Sequence, residues 1–196
     1  MHRPDIAASP AATVSAAAAA FTPGRADSPA PRADFISAMR GVASSVTVVT
    51  TDGPAGRHGA TVSAFCSVSA DPPSALVCLK ADSRIARSVA ANGAFCVNVL
   101  PQPRRDIADR FAGCHDDRVA DRFDGVPCEP ADGTIPGIAG ATMFCCTLER
   151  TVDFGSHRIF IGHVTRVRAG AAEPLAYLNG AYHRVVPHRP SVPATA

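Results

Sequence analysis

The sequence predicts a mainly β domain with short helices, its strands closed into a barrel. Three observations carry that prediction. β-branched and apolar residues recur in six or so short runs such as "SVTVVTT" and "AFCVNVL", the few helical patterns are all short, and most connections are of hairpin length. Parallel sheets need crossovers of a dozen or more residues, so a β-barrel of mixed content fits better than a doubly wound α/β sheet.

Taken in order, the chain opens on an Ala-, Pro- and Ser-rich stretch with few large apolar groups, which cannot bury enough surface to offset its ordering entropy. Residues 1–31 are therefore read as a disordered tail, and 188–196, within "PHRPSVPATA", as a second one. The folded domain spans 32–187. Its first element is a helix in "DFISAMRGVAS", where Phe35, Met39 and Val42 at spacings of four and three share one face.

β signals then take over. "SVTVVTT" and "ATVSAFCSVS" flank the turn-rich "DGPAGRHG", which predicts a hairpin of residues 46–51 against 59–65. Paired prolines in "ADPP" stop the second arm, and "SALVCLK" follows as a buried strand ending on Lys80. In "DSRIARSVAANG", Asp82 or Ser83 caps a short helix that Gly93 ends, and "AFCVNVL" returns to strand. "RRDIADRFAG" places Ile107 and Phe111 on one helical face. The glycines and prolines of "DGVPCEPADGTIPGIAG" leave little room for regular structure, so a loop is expected there. "ATMFCCTLERTVDFG", "RIFIGHVTRVRAG" and "AYHRVV" complete the domain as strands.

Composition excludes several functions. A net charge of +2, with scattered basic residues, is no footprint for nucleic acid or a membrane surface, and no apolar run reaches the ~20 residues of a membrane span. The seven cysteines form no C-x-x-C pair and mostly sit in apolar runs, so free, mostly buried thiols in a reducing compartment are expected, without disulfides or a metal site. "AATVSAAAAAF" lacks a leucine core and has only Arg3 upstream, so the chain is read as cytoplasmic rather than secreted. There is no phosphate-loop motif, no strand followed by G-x-G-x-x-G, no H-E-x-x-H and no G-x-S-x-G.

What remains for chemistry is local. Small hydroxyl residues interleave with small apolar ones in "GATVSAFCSVS", a surface on which a ligand could approach main-chain amides, or merely a wet strand face. Lys80 at a strand end and Ser83-Arg84 at a helix start offer a cation, a hydroxyl and free N–H groups, a combination that suits phosphate. Cys66 reads as a packed small residue and His163 as structural, while His157, before a strand and after Gly155-Ser156, is open to either a surface or a binding role.

The ordered series "SVTVVTT", "GATVSAFCSVSADPP", "ALVCLKADSRIARSVAANGAFCVNVL", "IADRFAG", "GSHRIFIGHV" and "PLAYLNGAYHRV" resembles the flavin reductase family that serves two-component monooxygenases, over residues 35–186. The resemblance implies an FMN-binding split β-barrel, a homodimer, and reduction of FMN or FAD by NADH or NADPH for a separate flavin-dependent monooxygenase. It implies one flavin segment at Gly59, Ala60, Thr61, Val62, Ser63 and Ala64. A second falls at Cys78, Leu79 and Lys80, with Ser83 and Arg84 for the phosphate, and Arg110 and Phe111 of "DRFAG" are a further contact. The family's Gly-Asp-His appears as Gly155-Ser156-His157, which assigns Ser156, His157 and Arg158 to the nicotinamide coenzyme, with Tyr182 lining the same cleft. Serine in place of aspartate is a neutral partner for His157, and with no acid beside it Arg158 could accept a 2′-phosphate. No residue is assigned to acid–base catalysis and no metal is implied. Other occupants of such a barrel are a flavin- or haem-binding carrier or sensor, and an oxidase of pyridoxine phosphate.

Overall fold

The computed structural model describes residues 28–188, so 1–27 of the first expected tail and 189–196 of the second lie outside the described residues. α1 (Arg32–Arg40) is the helix read from the Phe35, Met39 and Val42 spacing, with Val42 just past its end, but that face is not buried among the described residues: the three side chains are 61%, 50% and 54% exposed and line an open cleft. β1 (Ser44–Ser45) and β2 (Thr47–Thr51) follow. Every residue of β2 is buried, because Val49 packs into one core with Val77, Ile85, Phe95 and Phe160, while Val48 faces a second core of Leu100, Ile107, Phe111 and Ile138. A strand buried on both faces reads as a continuous β-branched run, which "SVTVVTT" is.

β3 (His58–Val62) pairs with β2, Thr47 opposite Val62 and Thr51 opposite His58. The expected hairpin is therefore present, but its second arm is shorter than read. After Val62 the chain leaves β2, and β4 (Phe65–Ala70) pairs instead with β5 (Pro73–Lys80). α2 (Arg84–Asn92) is capped by the Ser83 side chain, which accepts the Ala86 N–H, and ends at Gly93 with φ +70°. β6 (Ala94–Val99) and α3 (Arg105–Phe111) come next as expected.

The passage expected as loop holds a hairpin, β7 (Cys128–Asp132) with β8 (Ile135–Ile138). Its prolines are tolerated because β8 is held by side chains as well as by its ladder. Asn98 accepts the Ile138 N–H at 2.8 Å, and Thr50 donates to the Pro136 carbonyl at 2.6 Å. β9 (Thr142–Phe154) and β10 (His157–Arg168) are the two long strands. A bulge beside Gly162 bends the pair, and a side chain there would meet Cys146 Cβ at 2.8 Å and the Phe95 ring at 3.0 Å. "LAYLNGAYHR" adds two strands where one was read, β11 (Leu175–Leu178) and β12 (Ala181–Arg184), joined by Asn179 and Gly180 at φ 51° and 80°.

Seven strands form one sheet in the order β3-β2-β6-β9-β10-β5-β4. Its first and last members are consecutive in the chain, separated by Ser63 and Ala64 alone, so the sheet curls round and its ends meet. This is the split β-barrel. β1, β11 and β12 form a second, three-stranded sheet beside it.

Two expectations about side chains are corrected. All seven cysteines are free, but only Cys96, Cys145 and Cys146 are buried; Cys66, Cys114 and Cys128 are exposed and Cys78 is half-buried. Apolar runs around a cysteine mark a strand, and alternation puts half of each strand outward. The same alternation turns Phe160 and Gly162 inward and leaves His163 exposed.

Candidate active site

The site begins where the barrel fails to close. β3 is bonded along β2 only, and between Val62 and Phe65 the chain crosses from one ladder to the other. The Cys78 N–H still donates to the Ala64 carbonyl at 3.0 Å. Beyond that bond, toward Lys80, no ladder joins β3 to β5 among the described residues. A seam opens between residues 59–64 on one side and 78–80 on the other, which are the two segments singled out in the sequence for flavin.

The side chains along the seam divide by task. Ser63 and Ala64 belong to neither ladder and are exposed. Thr61 and Val62 are half-buried and line, with Ser63 and Tyr182, a cavity of about 200 Å³. The Thr61 hydroxyl already donates to the Ala108 carbonyl at 2.7 Å, tying β3 to α3. Gly59 is small for a reason behind the seam: a Cβ there would lie 2.6 Å from the Phe111 ring. Phe111 itself is fully buried, edge-on to Phe123, and Arg110 donates to the Asp124 carbonyl, so "DRFAG" supports β3 from behind. The Leu79 side chain is likewise core; only its backbone borders the seam.

At the far end, two of the three groups expected at a phosphate are engaged. Lys80 pairs with Asp82 at 3.2 Å. The Ser83 hydroxyl donates to the Lys80 carbonyl at 2.6 Å while accepting the Ala86 N–H. Arg84 forms no ion pair among the described residues and points into a cavity of about 570 Å³ that also takes in His58, Arg57 and Arg122. Arg122 is held by Asp116, with Nε to Oδ1 at 2.8 Å, and by the Phe111 carbonyl at 2.9 Å; its charge keeps the Asp116 carboxyl below the usual carboxylate range. Arg57 pairs with Asp121 and lies 4.6 Å from the Phe123 ring centre. Burial, reinforced by Arg84 and Arg122, pushes His58 down to about 4, so its imidazole is neutral at pH 7. Sequence reasoning passed over His58, Arg57 and Arg122. "RHG" directly before the flavin segment was the available signal.

The third group of residues sits on the β9–β10 turn. Gly155, at φ 56°, and Ser156 form a two-residue turn that brings Phe154 opposite His157. On its other edge His157 faces Lys80, and the Ala81 N–H donates to the Ser156 carbonyl at 3.0 Å. His157 is therefore exposed at the Lys80 end of the seam, its Nδ1 hydrogen-bonded to Ser156 Oγ at 3.0 Å. Arg158 is not free for a 2′-phosphate. Asp153, opposite it across the hairpin, takes both its Nε, at 2.5 Å, and its Nη2, at 3.1 Å. Strand pairing thus sets an acid against Arg158, while His157 keeps only Ser156. Tyr182 donates to Asp109 at 2.8 Å, which with burial raises its phenol above the usual range, and the cavity wall it shares with Thr61 and Ser63 does not include His157.

The described residues hold no group of three His, Cys, Asp or Glu able to bind a metal ion, and none of their helices is long and apolar enough to cross a membrane. The seam has small residues along its β3 side, and the cavity at its end carries Arg84, a cation without an ion pair among the described residues, so the arrangement can accept a ligand with an anionic group.

The comparisons agree with the geometry. Residues 39–185 match the family model described as the flavin reductase like domain. The chain is 36% identical over 157 residues to "FMN reductase (NADH) RutF" of Stutzerimonas stutzeri, covering 79% of this chain and 89% of that one. It is 39% identical over 156 residues to "Flavin reductase (NADH)" of Kitasatospora aureofaciens, covering 76% and 80%. Among solved structures it resembles the NADH:FAD oxidoreductase SgcE6 of Streptomyces globisporus, with TM-score 0.74 and 29% identity over 87% of this chain and 97% of that one. The styrene monooxygenase flavin reductase of Pseudomonas putida S12 superposes with TM-score 0.70 at 27% identity, over 79% and 99%. With an open seam between the small residues 59–64 and the end of β5, Arg84 beyond it and a family match over residues 39–185, the chain belongs to the flavin reductase like family.

Proposed function

We propose that the protein is an NADH-dependent flavin reductase that passes reduced flavin to a separate monooxygenase. The observation that carries this reading is the seam between residues 59–64 and 78–80, with an unpaired Arg84 at one end and His157 beside Lys80. Flavin held there would supply the redox chemistry, as acceptor of a hydride from the nicotinamide coenzyme. The chain's own work is positioning. Ser63 and Ala64 offer exposed backbone to the ring edge, Arg84 meets the phosphate, and Ser156 orients His157 toward the nicotinamide. No acid–base residue is needed.

NADH is favoured over NADPH because Asp153 occupies Arg158 and sets a carboxylate where a 2′-phosphate would otherwise be welcome. FMN is favoured by relatives named FMN reductase, while the SgcE6 relative is named for FAD. A homodimer is supported by the α1 face, whose exposed Phe35 and Met39 border a cleft of about 690 Å³ that reaches Ser63 and Ala64. The test is purified protein with each of FMN and FAD and each of NADH and NADPH, followed at the nicotinamide absorbance band. Flavin-dependent loss of NADH is expected. Flavin binding without oxidation of either coenzyme would identify a carrier, and oxidation of pyridoxine phosphate would identify the other enzyme of this barrel.

A further inference from the structure

The cavity at the end of the seam is more than Arg84. His58 opens β3, one residue before Gly59, and is half-buried in the same cavity wall as Arg84 of α2 and Arg122 of the segment after α3. The other charges facing it are Arg57, Asp116 and Asp121. Both carboxylates are already taken, Asp116 by Arg122 and Asp121 by Arg57 and the Phe123 N–H. Only Arg84 enters the cavity as a cation without a counter-ion among the described residues. An imidazole held among cations, with the nearby acids engaged elsewhere, has one natural complement, an arriving anion.

We propose that His58 is a binding residue for the terminal phosphate of the flavin and takes up a proton as that phosphate enters, so that affinity for phosphorylated flavin is coupled to pH. The inference rests on the flavin reductase reading and adds to it a residue and a proton. Its sign follows from the surroundings. Without ligand, burial, Arg84 and Arg122 hold His58 at about 4, so it is neutral. A phosphate dianion cancels that cationic field and stabilises imidazolium, raising the bound-state value. Affinity for FMN therefore rises as pH falls through the bound-state value, and the gain levels off near the free-state value of about 4. Riboflavin, which lacks the phosphate, has no reason to show it.

The experiment compares Kd for FMN and for riboflavin across pH 5 to 8, in wild type and His58→Gln, and measures the heat of FMN binding in two buffers of different ionisation enthalpy. In wild type, the FMN preference over riboflavin is expected to grow toward low pH, with more protons taken up than the phosphate accounts for, since a phosphate whose second ionisation is near pH 6 can only release protons on entering a cationic cavity. His58→Gln is expected to bind FMN about tenfold more weakly at pH 6, the loss of one charge-assisted hydrogen bond, and to keep only the pH dependence of the phosphate. An FMN preference with the same pH profile in variant and wild type overturns the proposal, as does FMN binding by wild type without excess proton uptake, a measurement that needs no variant. The parent reading fails separately, by absence of NADH-driven reduction of FMN and of riboflavin alike.

Discussion

At the scale of single residues, the turn Gly155-Ser156 decides what His157 can do. It sets the imidazole at the end of the seam, opposite Lys80, with Nδ1 engaged by Ser156 and Nε2 without a protein partner among the described residues. His157→Ala is expected to raise the KM for NADH about tenfold, the worth of one lost hydrogen bond to a ligand, while Kd for flavin stays within about twofold. Equal losses in both would place His157 on the flavin instead. The place of His157 at the start of a strand could be read from the sequence, but the partner of Arg158 could not. Asp153 lies five positions away and meets Arg158 only because the hairpin puts them in register. Ser83 stands between: a helix cap was one of two roles its context allowed, and the fold shows the hydroxyl spent on that cap, accepting from Ala86 and donating to the Lys80 carbonyl.

Among elements, β8 shows how a segment without a strand signature becomes one. Pro136 and Gly137 argue against a strand, yet "IPGI" is fully buried because Asn98 of β6 and Thr50 of β2 supply hydrogen bonds that local sequence does not. Asn98 is fully buried, accepting from Ile138 and donating to the Val48 carbonyl at 2.9 Å and Thr50 Oγ1 at 3.1 Å. Asn98→Ala removes these hydrogen bonds and takes from the buried Ile138 N–H its side-chain acceptor. We expect a loss of about 1–3 kcal/mol in chemical denaturation, with faster amide exchange in β8 than in β9. The helices, by contrast, were legible as far as their ends, since caps and stops are local: Ser83 and Gly93 bound α2 as their residue types demand. What covers α1 was not legible, because within the described residues none of its side chains is buried.

For the molecule as a whole, the barrel class followed from run lengths and connections, but the split did not. The stretch "ATVSAFCSVS" reads as one strand, and only the pairing of its halves with β2 and β5 breaks it at Ser63 and Ala64. The exposed face of α1 beside that break is where the proposed homodimer would pack. Phe35→Glu is expected to convert a dimer to a monomer in light scattering and to weaken flavin binding at the same time, whereas a wild-type monomer would remove the face from the site. One further consequence belongs to Ser63 and Ala64. The dipeptide that lets the sheet meet itself also lines the cleft proposed to take the flavin, so a substitution there is judged twice by selection, once for whether the barrel shuts and once for what it grips. Change in ligand preference should accumulate elsewhere, in Arg84, His58 and the β9–β10 turn, where side chains can vary without reopening the fold.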